Sequence, residues 1–176
     1  MRDSFIANHI LRGLVRPQRK YECSINAVAG AVNSLYERSL DRMDVLMMAS
    51  WDVDDVVAGN NTNKDVLEAI RQICWQKRLK VNGDVFLRSI PFLHWSSKRT
   101  WNEFKRNASD PKTVLIYHAN NHYTLIAGYI EDEKQSYIVL AEHCPDWDPI
   151  RVISWKALRG QLLRHWGYGI LRVRKI

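Results

Sequence analysis

The chain has 176 residues, 46% of them hydrophobic and 26% charged, with a formal net charge of +7. That balance suits one compact globular domain spanning 1–176 with a core of its own, and a second independent domain is not expected. No run of about eighteen apolar residues occurs, and His9, Arg12 and Arg16 interrupt what would have to be the apolar part of a signal peptide, so neither a membrane span nor a cleaved signal is expected.

Three cysteines, Cys23, Cys74 and Cys144, are too few and too widely spaced for a disulfide scaffold, and the odd count leaves a free thiol. A reducing cytoplasm is the expected compartment, although secretion by a route without a cleaved signal gives the same pattern. The positive charge, denser in RGLVRPQRK and RVRK, reads first as a solvated basic surface. Polyanion or nucleic-acid binding is the second reading, because no nucleic-acid motif accompanies the charge.

Ser4 followed by FIANHILRGL predicts a short capped helix ending near Gly13, after which Pro17 forces an extended entry into the next element. From Cys23 to about Tyr36 the residues Ile25, Val28, Ala29, Val32 and Leu35 recur at helical spacing, with small residues between them. This predicts a buried helix, with Gly30 marking a close approach to a neighbour. SLDRMDVLMMASW predicts a second helix with a Met-rich apolar face, VDDVVAGNNTN a polar connection rich in turns, and KDVLEAIRQICWQKR a third helix with Cys74 as a core thiol.

LKVNGDVFL reads as a strand containing a turn, and SSKRTWNEFKRN as a short helix. The strands KTVLIYHA, HYTLIAGYI, SYIVLAEH, IRVIS and YGILRVRK then dominate. EDEKQ between HYTLIAGYI and SYIVLAEH has hairpin length, so these two should pair antiparallel. Ser154 caps the helix WKALRGQLLRHW. Trp75, Trp101, Trp155 and Trp166 fall in predicted helices as packing residues, whereas Trp95 and Trp147 lie in loops and are candidates to border a substrate groove.

Cys23 opens a helix, where free backbone N–H groups and the helix dipole favour a thiolate. His122 opens a strand, placed to face a helix end as the base such a nucleophile needs. The backbone N–H of Cys23 and the side-chain amide of Gln18, five residues upstream, supply two oxyanion donors. His118 and His122 with His143 and Cys144 also allow a zinc site to be drawn, but HANNH bridges a strand end and a turn, so helical spacing does not aim the two rings together. Phosphate loops, dinucleotide fingerprints, a serine elbow and paired CxxC motifs are all missing, and no cofactor is called for.

The order Gln, Cys opening an apolar helix, His opening a strand, and an acid on the next strand resembles the papain-like cysteine peptidases. Within them it is most similar to the branch that includes the double-glycine leader peptidases, from about Arg16 to the C-terminus. The stretches that carry the resemblance are QRKYECSINAVAG, NHYTLIAGYIED and YIVLAEHCPDWDP. The resemblance implies an α+β fold with a Cys-bearing helix packed on an antiparallel sheet, Cys23 as nucleophile, His122 as base, Gln18 in the oxyanion hole and Glu142 as the orienting acid, with Asp146 and Asp148 as rivals for that last role.

Three departures stand out: Ser24 and Ile25 follow the cysteine in place of Gly-Pro, Asn121 precedes the histidine in place of Gly, and the acid is Glu. Ser24 and Asn121 keep backbone N–H groups beside the reacting atoms, where they are expected to meet substrate. The implied reaction is hydrolysis of an amide bond in a peptide or protein. Deamidation and acyl transfer use the same machinery, and a catalytically silent binding module on the same fold is the competing class.

Overall fold

The computed structural model describes residues 3–14, 22–88, 98–142 and 148–176. Its centre is a sheet whose strands alternate between two apolar layers. Strand β3 (Thr113–Ala119) is buried at every position. Val114 and Ile116 face one layer, Leu115, Tyr117 and Ala119 the other, as the period of two along a strand requires. Strand β4 (His122–Glu131) follows the same rule until an irregularity between Ile126 and Gly128 shifts the register. Tyr123, Leu125 and Ala127 lie in the first layer with Ile130, and Ile126 and Tyr129 in the second, so one extra residue inverts the parity of the strand.

With β1 (Asp3–Ile6), β2 (Val81–Arg88), β5 (Ser136–Ala141), β6 (Ile150–Ser154) and β7 (Gly169–Lys175), these form a seven-stranded sheet ordered β2-β7-β3-β4-β5-β6, and β1 also pairs with β4. Each of these strand pairs is antiparallel. The first layer is closed by α1 (Asn8–Gly13), α2 (Cys23–Tyr36), α3 (Arg42–Ala49) and α5 (Asn63–Gln76), and the second by α6 (Lys98–Ser109) and α7 (Trp155–Leu162). Each fully buried Ile, Leu or Val in these layers is worth roughly 1.5–3 kcal/mol.

Helix α2 has the predicted extent and is buried from Cys23 to Leu35. A close approach does occur on this face of α2, and it is Gly13 of α1 that permits it: a Cβ there would lie 2.9 Å from the Gly30 carbonyl oxygen and 2.2 Å from Ser34 Oγ. Asn33 fixes the exit of the helix, its Nδ2 donating to the Leu40 carbonyl at 2.9 Å and its Oδ1 accepting from the Leu40 N–H at 2.8 Å.

Several local expectations are corrected. Ser4 does not cap a helix; Asp3–Ile6 pairs with Gly128–Glu131 of β4, and the helix starts only at Asn8. Gly128 makes that pairing possible, since a Cβ there would fall 1.9 Å from the Phe5 carbonyl oxygen. The turn expected in LKVNGDVFL is absent, because Gly83 sits under Leu67 of α5, where a Cβ would meet Leu67 Cδ2 at 2.9 Å, and the strand runs on through it. Part of the polar connection is a five-residue helix, α4 (Val53–Val57), capped by Asp52. The methionines of α3 are buried only in part: Val45 and Ala49 face inward and Met48 packs against the core, while Met43 and Met47 are exposed.

Trp101 and Trp155 pack as expected, with ring centroids 5.2 Å apart. Trp75 turns outward from α5, 79% exposed, and Trp166 lies beyond the end of α7, 81% exposed. Cys74 is fully buried and burial pushes its thiol up to about 11, as suits a core residue. Among the described residues no helix is long and apolar enough to cross a membrane.

Candidate active site

Cys23 and His122 are brought together by a two-residue hairpin. Ala119 of β3 pairs with His122 of β4, and the turn between them, Asn120 and Asn121, has φ of 53° and 54°. Positive φ at both central residues is the type I′ signature whose twist matches the strands it joins, and Asn tolerates it better than any residue but Gly. The turn therefore accounts for Asn121 at the position where the sequence resemblance implied Gly. It also brings the Asn121 carbonyl oxygen 3.8 Å from Cys23 Sγ, at the first residue of α2.

His122 lies between two partners. Its Nε2 is 3.0 Å from Oε2 of Glu142, and its ring is also hydrogen-bonded to the Cys23 side chain, leaving Nδ1 for the sulfur. Burial works to lower the pKa of this imidazole, but the bonds to Cys23 and Glu142 prevail and raise it to about 9. Glu142 has no exposed surface. Burial alone would raise its pKa; His122, Arg151 and the Thr124 hydroxyl outweigh that and hold the carboxyl below its ordinary value. Thr124 Oγ1 donates to Oε2 at 3.3 Å, and Arg151 Nη2 is 2.7 Å from Oε1.

Asp148, the rival acid within the described residues, is exposed, whereas Glu142 is on the imidazole. Gln18, Trp95, Trp147, Asp146, His143 and Cys144 lie outside the described residues. Ser24 is buried, and its hydroxyl accepts a hydrogen bond from Asn61 Nδ2 at 3.0 Å. Ser24 and Asn121 both border a cleft of about 740 Å³ that opens beside Cys23.

Composition and spacing did not single out the rest of this cleft. His118, in the sequence only a candidate zinc ligand, stacks on Tyr123 with ring centroids 3.9 Å apart, and its Nδ1 is 2.8 Å from Asn63 Oδ1 and 3.2 Å from the Gly167 carbonyl oxygen. Both partners are acceptors, so Nδ1 carries the proton. Burial, opposed by the Gly167 bond, pulls the imidazole down to about 4, and the ring is neutral. Asn63 Nδ2 donates to Gly167 O at 2.8 Å, and the Tyr123 hydroxyl donates to Asn61 O at 3.0 Å. One network thus ties the start of α2 through the 59–63 loop to β3, β4 and the 165–168 segment. The loop GNNTN belongs to the turn-rich polar connection expected from the sequence, and Thr62 with Asp65 forms the capping box that opens α5. His118 and His122 serve different partners, and among the described residues no cluster of three metal-ligating side chains occurs.

No protein-family model matches the chain, and no curated relative matches it. Among solved structures it is similar to the peptidase domain of Streptococcus ComA, a bi-functional ABC transporter involved in a quorum-sensing pathway. The likeness has a TM-score of 0.56 at 9% sequence identity and covers 93% of this chain and 98% of that domain. At that identity it establishes the fold: helices packed on an antiparallel sheet in the papain-like arrangement.

Proposed function

We propose that the protein is a cysteine-nucleophile hydrolase of amide bonds in a peptide or protein. The observation that carries this reading is His122 held between Glu142 and Cys23, whose side chain lines a cleft. His122 takes the Cys23 proton and the sulfur attacks the carbonyl carbon. The oxyanion that forms is met by the Cys23 backbone N–H at the start of α2 and, in the role the sequence resemblance implies, by the amide of Gln18. The imidazolium then gives its proton to the leaving amine, the amine departs, and water attacks the thioester with His122 again as base, releasing the acid and the free thiol. Glu142 keeps the imidazole in the tautomer and orientation that this cycle uses.

The test is incubation of the protein, and of its Cys23→Ala and His122→Ala variants, with a peptide mixture followed by mass spectrometry. New termini produced only by the unsubstituted protein support the reading. Conversion of side-chain amides to acids without new termini would make it a deamidase, and no product of either kind would overturn it.

A further inference from the structure

The lining of the cleft is one-sided in charge. Among the described residues it includes Lys64 and Arg88 but no aspartate or glutamate. Both cations are exposed, and among the described residues neither has an ion-pair partner. The carboxylate next in sequence to Lys64, that of Asp65, is turned back onto the loop, accepting from the Thr62 N–H at 2.8 Å and the Thr62 hydroxyl at 2.6 Å. Where acids stand near cations they pair with them, as in the half-buried Lys105 with Asp3 and Glu131 and the half-buried Arg172 with Asp84.

The same walls carry amide side chains from Asn60 and Asn120, and an indole at Trp166 that is 81% exposed. Amides suit the alternating donors and acceptors of an extended peptide backbone, and a solvent-facing indole offers a platform for an apolar or aromatic side chain. We infer that the cleft is built for an acidic peptide segment, with Lys64 and Arg88 as the specificity-determining residues that receive its carboxylates. The fate of the bound peptide rests on the hydrolase reading, but the recognition step stands apart from the chemistry.

Binding is therefore measured on the Cys23→Ala protein by fluorescence anisotropy, with labelled peptides of one length and sequence whose variable positions carry Glu, Gln or Lys. At low salt the Glu peptide should bind about tenfold more tightly than the Gln peptide and the Lys peptide least, with the preference shrinking as salt rises. In Lys64→Glu/Arg88→Glu the order should reverse. Equal binding of the Glu and Gln peptides would overturn the inference, and needs no folded double variant to be observed. Competition by single-stranded DNA as strong as that of the Glu peptide would overturn it in favour of general polyanion binding. Alkylation of Cys23 in the unsubstituted protein separates the two readings: a fast-reacting thiol with no charge preference sinks this inference alone, and charge-selective binding beside an unreactive Cys23 sinks the hydrolase reading alone.

Discussion

Arg151 Nη2 lies 2.7 Å from Oε1 of Glu142, while the other oxygen of the same buried carboxylate holds His122 Nε2 at 3.0 Å. Arg151 sits on β6 opposite Leu140 of β5, so the pairing that closes this edge of the sheet also delivers a counter-charge to the candidate orienting acid.

Replacing Arg151 by Met should therefore act through Glu142. A carboxyl held below its ordinary value stabilises the fold above the unfolded value, and that contribution is lost as pH falls through the folded one. Without Arg151 the loss begins at higher pH, so the acid limb of Cys23 reactivity should move upward. Stability should fall by about 1–3 kcal/mol, less than for a fully buried pair because Arg151 is partly exposed. Arg151→Lys should restore most of both. The measurements are thiol alkylation against pH and the urea midpoint; an unmoved acid limb would leave Arg151 with packing alone.

Glu142→Gln keeps the shape and removes the charge. The His122 pKa should drop from about 9, and turnover should fall roughly a hundredfold or more, since the imidazole loses the group that fixes its tautomer. NMR titration of the His122 ring reads the first effect directly.

The two histidines predict opposite slopes of stability with pH. His122, raised from 6.5 to about 9, contributes fully below 6.5 and loses that contribution as pH rises toward 9. His118, lowered from 6.5 to about 4, contributes fully above 6.5 and loses it as pH falls toward 4, with a total on the order of 3 kcal/mol. The melting temperature should thus peak near pH 6.5. His122→Ala should flatten the alkaline side and His118→Gln the acid side.

Asn121 tests the hairpin. With φ of 54°, Asn121→Gly should leave the denaturation midpoint nearly unchanged, whereas Asn121→Val, β-branched at a left-handed position, should cost about 1–2 kcal/mol. Equal midpoints would mean that the turn does not constrain the site.

The sequence was most legible where periodicity and order coincide. The apolar spacing after Cys23 delimits α2, strand alternation gives β3 to β7, and the order Cys, His, Glu names the three side chains that meet at the candidate site. Legibility failed where a residue's neighbour is remote. Gly83 looked like a turn residue because only Leu67, on another element, explains it. Ser4 looked like a cap because its strand partner lies in β4. His118 was weighed as a ligand, but its role depends on Asn63 and Gly167, which no local pattern links to it.

The central claim, that His122 activates Cys23, is tested most directly by the rate of iodoacetamide alkylation at each cysteine, mapped by mass spectrometry across pH. Cys23 should react far faster than the buried Cys74 at neutral pH, and its rate should fall at least about tenfold in His122→Ala. A Cys23 that reacts no faster than Cys74, or at an unchanged rate in His122→Ala, would contradict the account.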